Sequence, residues 1–174
     1  QDRCRSILDR MSIDAGHATA EARTRLSAEQ LLRSTLDEMP ASADSVTLDI
    51  APSASERFVD IPMQSVSQAL RGVIQNALDA SLGEPVQVEA IVEDPWFKVV
   101  VRDQGSGMSE DVLARADEPF FTTKEAGKGM GLGRFLARTV FERVGGTFDT
   151  KSAPNAGTEV TIRLPLEAES SGYA

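Results

Sequence analysis

The chain has 174 residues, 41% of them hydrophobic and 26% charged, which fits one soluble globular domain with a short appendage and no need of covalent staples. One cysteine, Cys4, and one histidine, His17, exclude an internal disulfide, a cysteine- or histidine-based zinc site and any mechanism that uses two imidazoles. No run reaches the roughly 18 apolar residues of a membrane span, and a net charge of −9 argues against a nucleic-acid partner and requires that the cations for any anionic ligand be gathered locally.

The opening residues, Gln1-Asp2-Arg3, carry neither an initiator Met nor a signal-peptide pattern, so the chain reads as a piece of a longer protein. Cys4, Ile7, Leu8 and Met11 fall at i, i+3, i+4 and i+7, one stripe of a helix too short to stand alone. Asp14 to Arg25 is polar and Ala-rich, a linker by composition. Ser27 and Gln30 have the spacing of a capping box and open a short amphipathic helix that stops near Pro40. Strands are expected at Val46–Ile50 and Phe58–Ile61. Pro62 suits the first turn of a helix, whose apolar stripe (Val66, Ala69, Leu70, Val73, Ile74, Ala77, Leu78) runs to about Leu82.

Val86, Val88, Ala90 and Val92 alternate with other residues, and Phe97 to Asp103 returns after Asp94-Pro95, the pattern of a hairpin. A long Gly-rich loop is expected from Gln104 to Gly131, a length that marks function or disorder. Leu132, Phe135, Leu136, Val140 and Val144 outline another helix, closed by Gly145-Gly146. Thr147–Lys151 and Thr158–Leu164 make a last hairpin, and the tail from Glu167 reads as frayed. This order argues for an α/β fold, a two-layer sandwich of a mixed sheet with helices on one face.

Two departures from these patterns point to function. Side chains at i and i+2 of a strand share a face, so Phe97, Val99, Val101 and Asp103 form one row. Its last member is a carboxylate where the pattern asks for an apolar group, a costly placement unless the group is paired. Thr158, Val160, Ile162 and Leu164 repeat the pattern with Thr158 at the polar end. The second departure is the alternation of Gly127, Gly129, Gly131 and Gly133 before a helix start, where backbone N–H groups and the helix dipole favour an anion. From Thr122 to Arg138 four cations (Lys124, Lys128, Arg134, Arg138) face one acid, Glu125, a net +3 inside an acidic chain. On the long helix Asn76 lies off the apolar stripe, one turn after Gly72. An interior glycine costs about 1 kcal/mol against Ala, so Gly72 marks either a close approach or a tolerated surface position.

Together these residues resemble the ATP-binding catalytic domain of sensor histidine kinases, in the superfamily with gyrase, Hsp90 and MutL. Ile74-Gln75-Asn76-Ala77-Leu78-Asp79-Ala80 resembles the N-box, and Asp103-Gln104-Gly105-Ser106-Gly107-Met108 the first glycine box. Glu118-Pro119-Phe120-Phe121-Thr122-Thr123-Lys124 resembles the F-box, Gly129-Met130-Gly131-Leu132-Gly133 the second glycine box, and Gly157-Thr158 the final G-T element. The resemblance implies the Bergerat-type fold over 27–166, with ATP and Mg²⁺ as cofactors. It implies that Asp103 accepts a hydrogen bond from the adenine amino group, that Thr158 approaches the same base and that Asn76 holds Mg²⁺. Met108 to Gly131 would be a mobile lid. Lys124 and Lys128 would lie near the phosphates, and Gly131, Leu132 and Gly133 would supply backbone donors. Asp79, Gly105, Gly107, Thr122, Thr123 and Gly129 complete the implied nucleotide site, and no residue is assigned as catalytic.

Relatives usually carry Glu or Asn where this chain has Gly72. That absence argues against efficient ATP hydrolysis, but not against phosphoryl transfer to a histidine, which depends on positioning and charge. Residues 1–17 resemble the end of a dimerisation helix, followed by a linker over 18–26 and, at the far end, a disordered tail over 167–174. The Cys4 context together with the 129–138 stretch is most similar to the RegB/PrrB redox-responsive kinases, which makes Cys4 a candidate regulatory thiol, although Arg134 stands where Leu is commoner in that group. His17 lacks the acidic neighbour and nearby Pro of a phosphoacceptor motif, so the acceptor is expected upstream. The implied partners are the protein's own dimerisation domain, in a homodimer, and a response regulator. The implied location is the cytoplasmic side of a membrane-anchored parent. The alternatives are a nucleotide-binding regulatory module without transfer activity and an anti-sigma-type serine kinase.

Overall fold

The computed structural model describes residues 21–39, 45–81, 83–124 and 130–168. Strand β1 (Thr24–Ser27) pairs antiparallel with β3 (Phe58–Ile61) in a small two-stranded sheet. Helix α1 (Ala28–Asp37) follows directly. Its capping box is formed, with Ser27 Oγ accepting from the Gln30 amide at 3.1 Å and Gln30 Oε1 accepting from the Ser27 amide at 2.9 Å. Strand β2 (Val46–Ile50) precedes β3, and helix α2 (Met63–Ala80) follows it. Then come the hairpin β4 (Val86–Glu93) and β5 (Trp96–Asp103), helix α3 (Glu110–Arg115), helix α4 (Gly133–Arg143) and the hairpin β6 (Thr147–Ser152) and β7 (Thr158–Pro165).

The larger sheet has the order β2-β4-β5-β7-β6. Only β2 and β4 are parallel, so the sheet is mixed. Its inner face carries the rows read from strand parity. Phe97, Val99 and Val101 on β5 and Ile162 and Leu164 on β7 are buried, beneath Leu70, Val73, Ile74 and Ala77 of α2. Each large side chain removed from water in this way contributes roughly 1.5–3 kcal/mol. Phe141 of α4 stacks on Phe148 of β6, ring centroids 6.0 Å apart. The outer face is charged. Arg102 of β5 bridges Glu89 of β4 at 2.7 Å and Glu159 of β7 at 2.8 Å, which suits a face left to water. The α/β sandwich with helices on one face is the fold expected from the sequence.

The entry to α2 shows how the chain before it is anchored. Pro62 gives the helix no side-chain cap. The Glu21 carboxylate does so instead, accepting from the amides of Gln64 (2.7 Å) and Ser65 (3.1 Å) and from Ser65 Oγ (2.7 Å). Burial pushes the Glu21 carboxyl up, but these hydrogen bonds outweigh it and hold the group below its ordinary value.

Three readings need correction. Residues 24–26, read as linker, belong to β1, because their backbone groups find partners on β3. The span from Gln104 to Gly131 is not a continuous loop. It contains α3, whose Ser109 side chain caps the Val112 amide and whose first turn carries Glu110 and Asp111, a start signal the glycines obscured. Glu167 is not frayed: its amide donates to the Phe58 carbonyl at 2.8 Å and its carboxylate accepts from Arg25 at 2.7 Å. Cys4, His17 and the helix stripe of residues 4–11 lie outside the described residues, as do 169–174.

Candidate functional site

A cavity of about 240 Å³ opens between α2, the inner end of the sheet, α3 and the start of α4. Its base is made by strand ends. Register places Asp103 of β5 opposite Thr158 of β7, and Thr158 opposite Ser152 of β6. Asp103 is 7% exposed, and one carboxylate oxygen accepts from the Gly105 amide at 2.8 Å. Burial raises its pKa above the ordinary value, and the backbone groups of Gly105 and Thr158 offset only part of that. The carboxylate therefore still has bonding capacity, beside an apolar wall of Val73, Ala77, Val101 and Val160. Such a group selects a donor on a flat apolar ligand.

Backbone packing fixes that end tightly. A Cβ at Gly157 would sit 2.0 Å from the Asp103 carbonyl oxygen, and one at Gly105 would sit 2.3 Å from that of Ala80. Gly107, at φ +63°, would collide with the Ala153 carbonyl oxygen at 1.9 Å. Ser152 locks the two turns together: its Oγ accepts from the Met108 amide at 2.9 Å, donates to the Gly157 carbonyl at 2.8 Å and lies 2.9 Å from Thr158 Oγ1. Sequence reasoning missed Ser152, although the hairpin register that pairs it with Thr158 could have found it.

The other end is built from helix termini. Leu132 precedes α4 without a side-chain cap, so the first amides of that helix have no intrahelical partner and can serve an anion. Gly133 opens the helix facing Asn76, whose Nδ2 would lie 3.6 Å from an added Cβ. Gly131, at φ +67°, lets the chain turn beneath Phe120 and Phe121, and its carbonyl accepts from the Phe120 amide at 2.9 Å. Lys124 Nζ pairs with Asp79 Oδ2 at 2.6 Å, and Gln75 donates to Asp79 Oδ1 at 2.8 Å. Burial pushes the Asp79 carboxyl up, but these bonds and the Lys124 charge hold it below its ordinary value.

The structure thus brings Asn76, Asp103, Thr122, Thr123, Lys124, Gly131, Gly133 and Thr158 to one cavity. Asp79 reaches it through Lys124, Gly105 and Gly107 shape its base, and Leu132 is buried at the head of α4. Lys128 and Gly129 lie outside the described residues. Among its described residues the cationic segment is not a pool of open charge. Arg134 and Arg138 both bind Asp117, at 2.7 and 2.6 Å, and Arg138 also reaches Glu142. Nothing among the described residues lies within 4 Å of a Cβ at Gly72, so no backbone approach explains that glycine.

Residues 63–168 match the model of the histidine kinase-, DNA gyrase B- and HSP90-like ATPases. The chain belongs to this family. The matched stretch begins with α2, ends beyond β7 and contains every residue that lines the cavity. As a member, the chain is an ATP-binding domain of the kind found in two-component sensor kinases. It is 36% identical over 111 residues to the two-component sensor PprA of Pseudomonas aeruginosa, covering 59% of this chain and 12% of that protein. Over 133 residues it is 29% identical to sporulation kinase A of Bacillus subtilis, covering 76% of this chain and 22% of that kinase. The chain therefore spans a small part of these relatives. The solved structure of the mycobacterial sensor histidine kinase MprB shares the fold, with a TM-score of 0.70 at 22% identity, covering 83% of this chain and 98% of that one.

Proposed function

We propose that this domain binds ATP with Asp103 on the base and the head of α4 on the phosphates, and delivers the γ-phosphoryl group to a histidine of its own dimerisation domain. The observation that carries the reading is Asp103, a buried carboxylate with spare bonding capacity at the apolar end of a cavity whose other end is an uncapped helix N-terminus. A new bond forms between the γ-phosphorus and an imidazole nitrogen as the bond to the β,γ-bridging oxygen breaks, and ADP leaves. The domain's part is to hold the nucleotide. Thr158 flanks the base, and Thr122, Thr123 and Lys124 border the phosphates. Lys124 must exchange Asp79 for a phosphate oxygen.

Asn76 fits a single protein ligand for Mg²⁺: it borders the cavity opposite Gly133, and its side chain makes no hydrogen bond to the described residues. Held by Asn76, Mg²⁺ would neutralise phosphate charge. Gly72, one turn before, offers no side chain at its own position to activate water, which favours transfer over hydrolysis.

The parent protein would be a membrane-anchored homodimer with this domain in the cytoplasm, relaying phosphate to a response regulator. The similarity to RegB/PrrB kinases makes Cys4 its redox-responsive element. Supplying the parent's dimerisation domain with labelled ATP tests the central reading. Phosphohistidine is the expected product; nucleotide binding without it would leave a regulatory module. For Cys4, an oxidant-dependent dimer on non-reducing gels that disappears in Cys4→Ser is expected.

A further inference from the structure

Asp117 belongs to none of the family motifs and does not line the cavity, yet it joins two of its walls. Its Oδ1 accepts from Arg134 Nε at 3.0 Å and Nη2 at 2.7 Å. Its Oδ2 accepts from Arg138 Nε at 3.1 Å and Nη2 at 2.6 Å. Arg134 Nη2 also donates to Thr150 Oγ1 on β6 at 2.7 Å, and both guanidinium groups lie over the Phe148 ring, 5.2 and 5.5 Å from its centroid. The side chains of Asp117 and Arg134 are only 27% and 19% exposed, so these charge-assisted bonds are partly shielded from water.

Two cations one turn apart on α4 repel each other unless an anion sits between them. Asp117 supplies that anion from just beyond the end of α3. Helix α3 fully buries none of its own six residues, with Val112 and Leu113 only half-buried, so its apolar packing is thin. The helix and the turn after it nevertheless form a cavity wall: Val112, Ala116 and Phe121 on one side, with Arg134 and Phe148 on the other.

We infer that Asp117 is a positioning residue for the nucleotide site, holding α3 and the Ala116–Phe121 turn against α4 and β6. It touches no ligand. The inference rests on the reading of this cavity as the nucleotide site. By register Arg134 acts near the base end, since Thr150 pairs with Val160, two residues along β7 from Thr158.

The test compares wild type, Asp117→Asn and Asp117→Glu by hydrogen exchange without nucleotide and by titration with a non-hydrolysed ATP analogue. In Asp117→Asn, exchange over residues 110–121 should rise about tenfold and analogue affinity fall about tenfold. Exchange in β4 and β5 should not change, and Asp117→Glu should restore most of both effects. Unchanged exchange over 110–121 overturns the inference, and so does raised exchange with unchanged affinity. If Asp117→Asn does not fold, Arg134→Lys, which keeps the charge and loses the fork, carries the same two measurements. A wild-type chain that binds no analogue overturns the nucleotide reading itself, while the exchange data still report whether Asp117 holds the turn.

Discussion

The two ends of the cavity, which we read as a base end and a phosphate end, differ in how their glycines are packed. At the base end, a methyl group at Gly105, Gly107 or Gly157 would strike a backbone carbonyl at 2.3 Å or less. Those glycines are required because two turns interlock around Asp103. At the other end a methyl group at Gly131 would still strike the Phe121 carbonyl oxygen at 2.5 Å, but one at Gly133, at the head of α4, would meet only Asn76, at 3.6 Å. The difference separates a preformed recognition surface from a space left for a ligand. Charge follows the same division. Asp103 is buried without a cation and is held by backbone groups, whereas Asp79 and Lys124 share a half-exposed pair that can open. On the proposed reading, rigidity at the base end selects the ligand, and exchangeable partners at the other end admit its charge.

Substitutions can break this contrast, and the largest effect is expected at the closed end. Gly157→Ala should cost about 2–3 kcal/mol of stability, read as a lower denaturant midpoint, because both backbones would have to part. An unaltered midpoint would show that the turns are not interlocked. Asp103→Asn should weaken nucleotide binding about 10–100-fold and yet raise the melting temperature of the free domain. The sign follows from burial. A carboxyl whose folded pKa is raised contributes stability that is full below its ordinary value of 3.8 and lost as the pH rises through the elevated folded value. Melting curves across that window should therefore be flatter in Asp103→Asn than in the wild type. Unchanged nucleotide affinity would remove Asp103 from the base site.

Smaller effects are expected at the open end. Gly72→Ala should stabilise α2 by about 0.5–1 kcal/mol and leave nucleotide affinity alone. Gly133→Ala should change stability by no more than about 0.5 kcal/mol while reducing affinity for Mg²⁺-nucleotide, because its methyl group would occupy the space beside Asn76. Equal losses of stability in Gly133→Ala and Gly157→Ala would erase the distinction between the two ends.

The sequence by itself determined the elements whose signals are local. Apolar period set α2 and the strands, Ser27 and Gln30 set the start of α1, and parity placed Asp103 at the polar end of a buried row. The motif order identified the family and most of the cavity's residues, because each motif is a short run whose spacing survives without a fold. Tertiary structure decided whatever depends on partners distant in sequence. Thr24–Ser27 is a strand only because β3 lies beside it, and Glu21 caps a helix that begins 42 residues later. The apparent surplus of cations around α4 was compensated from outside its own segment, by Asp117. Charge counted along a chain ignores which side chains the fold brings together, and Coulomb attraction depends on distance in space. The net charge of −9 thus describes the whole chain, and only the fold shows that the cavity, which we propose takes the anion, ends on an uncapped helix start beside a lysine paired with Asp79.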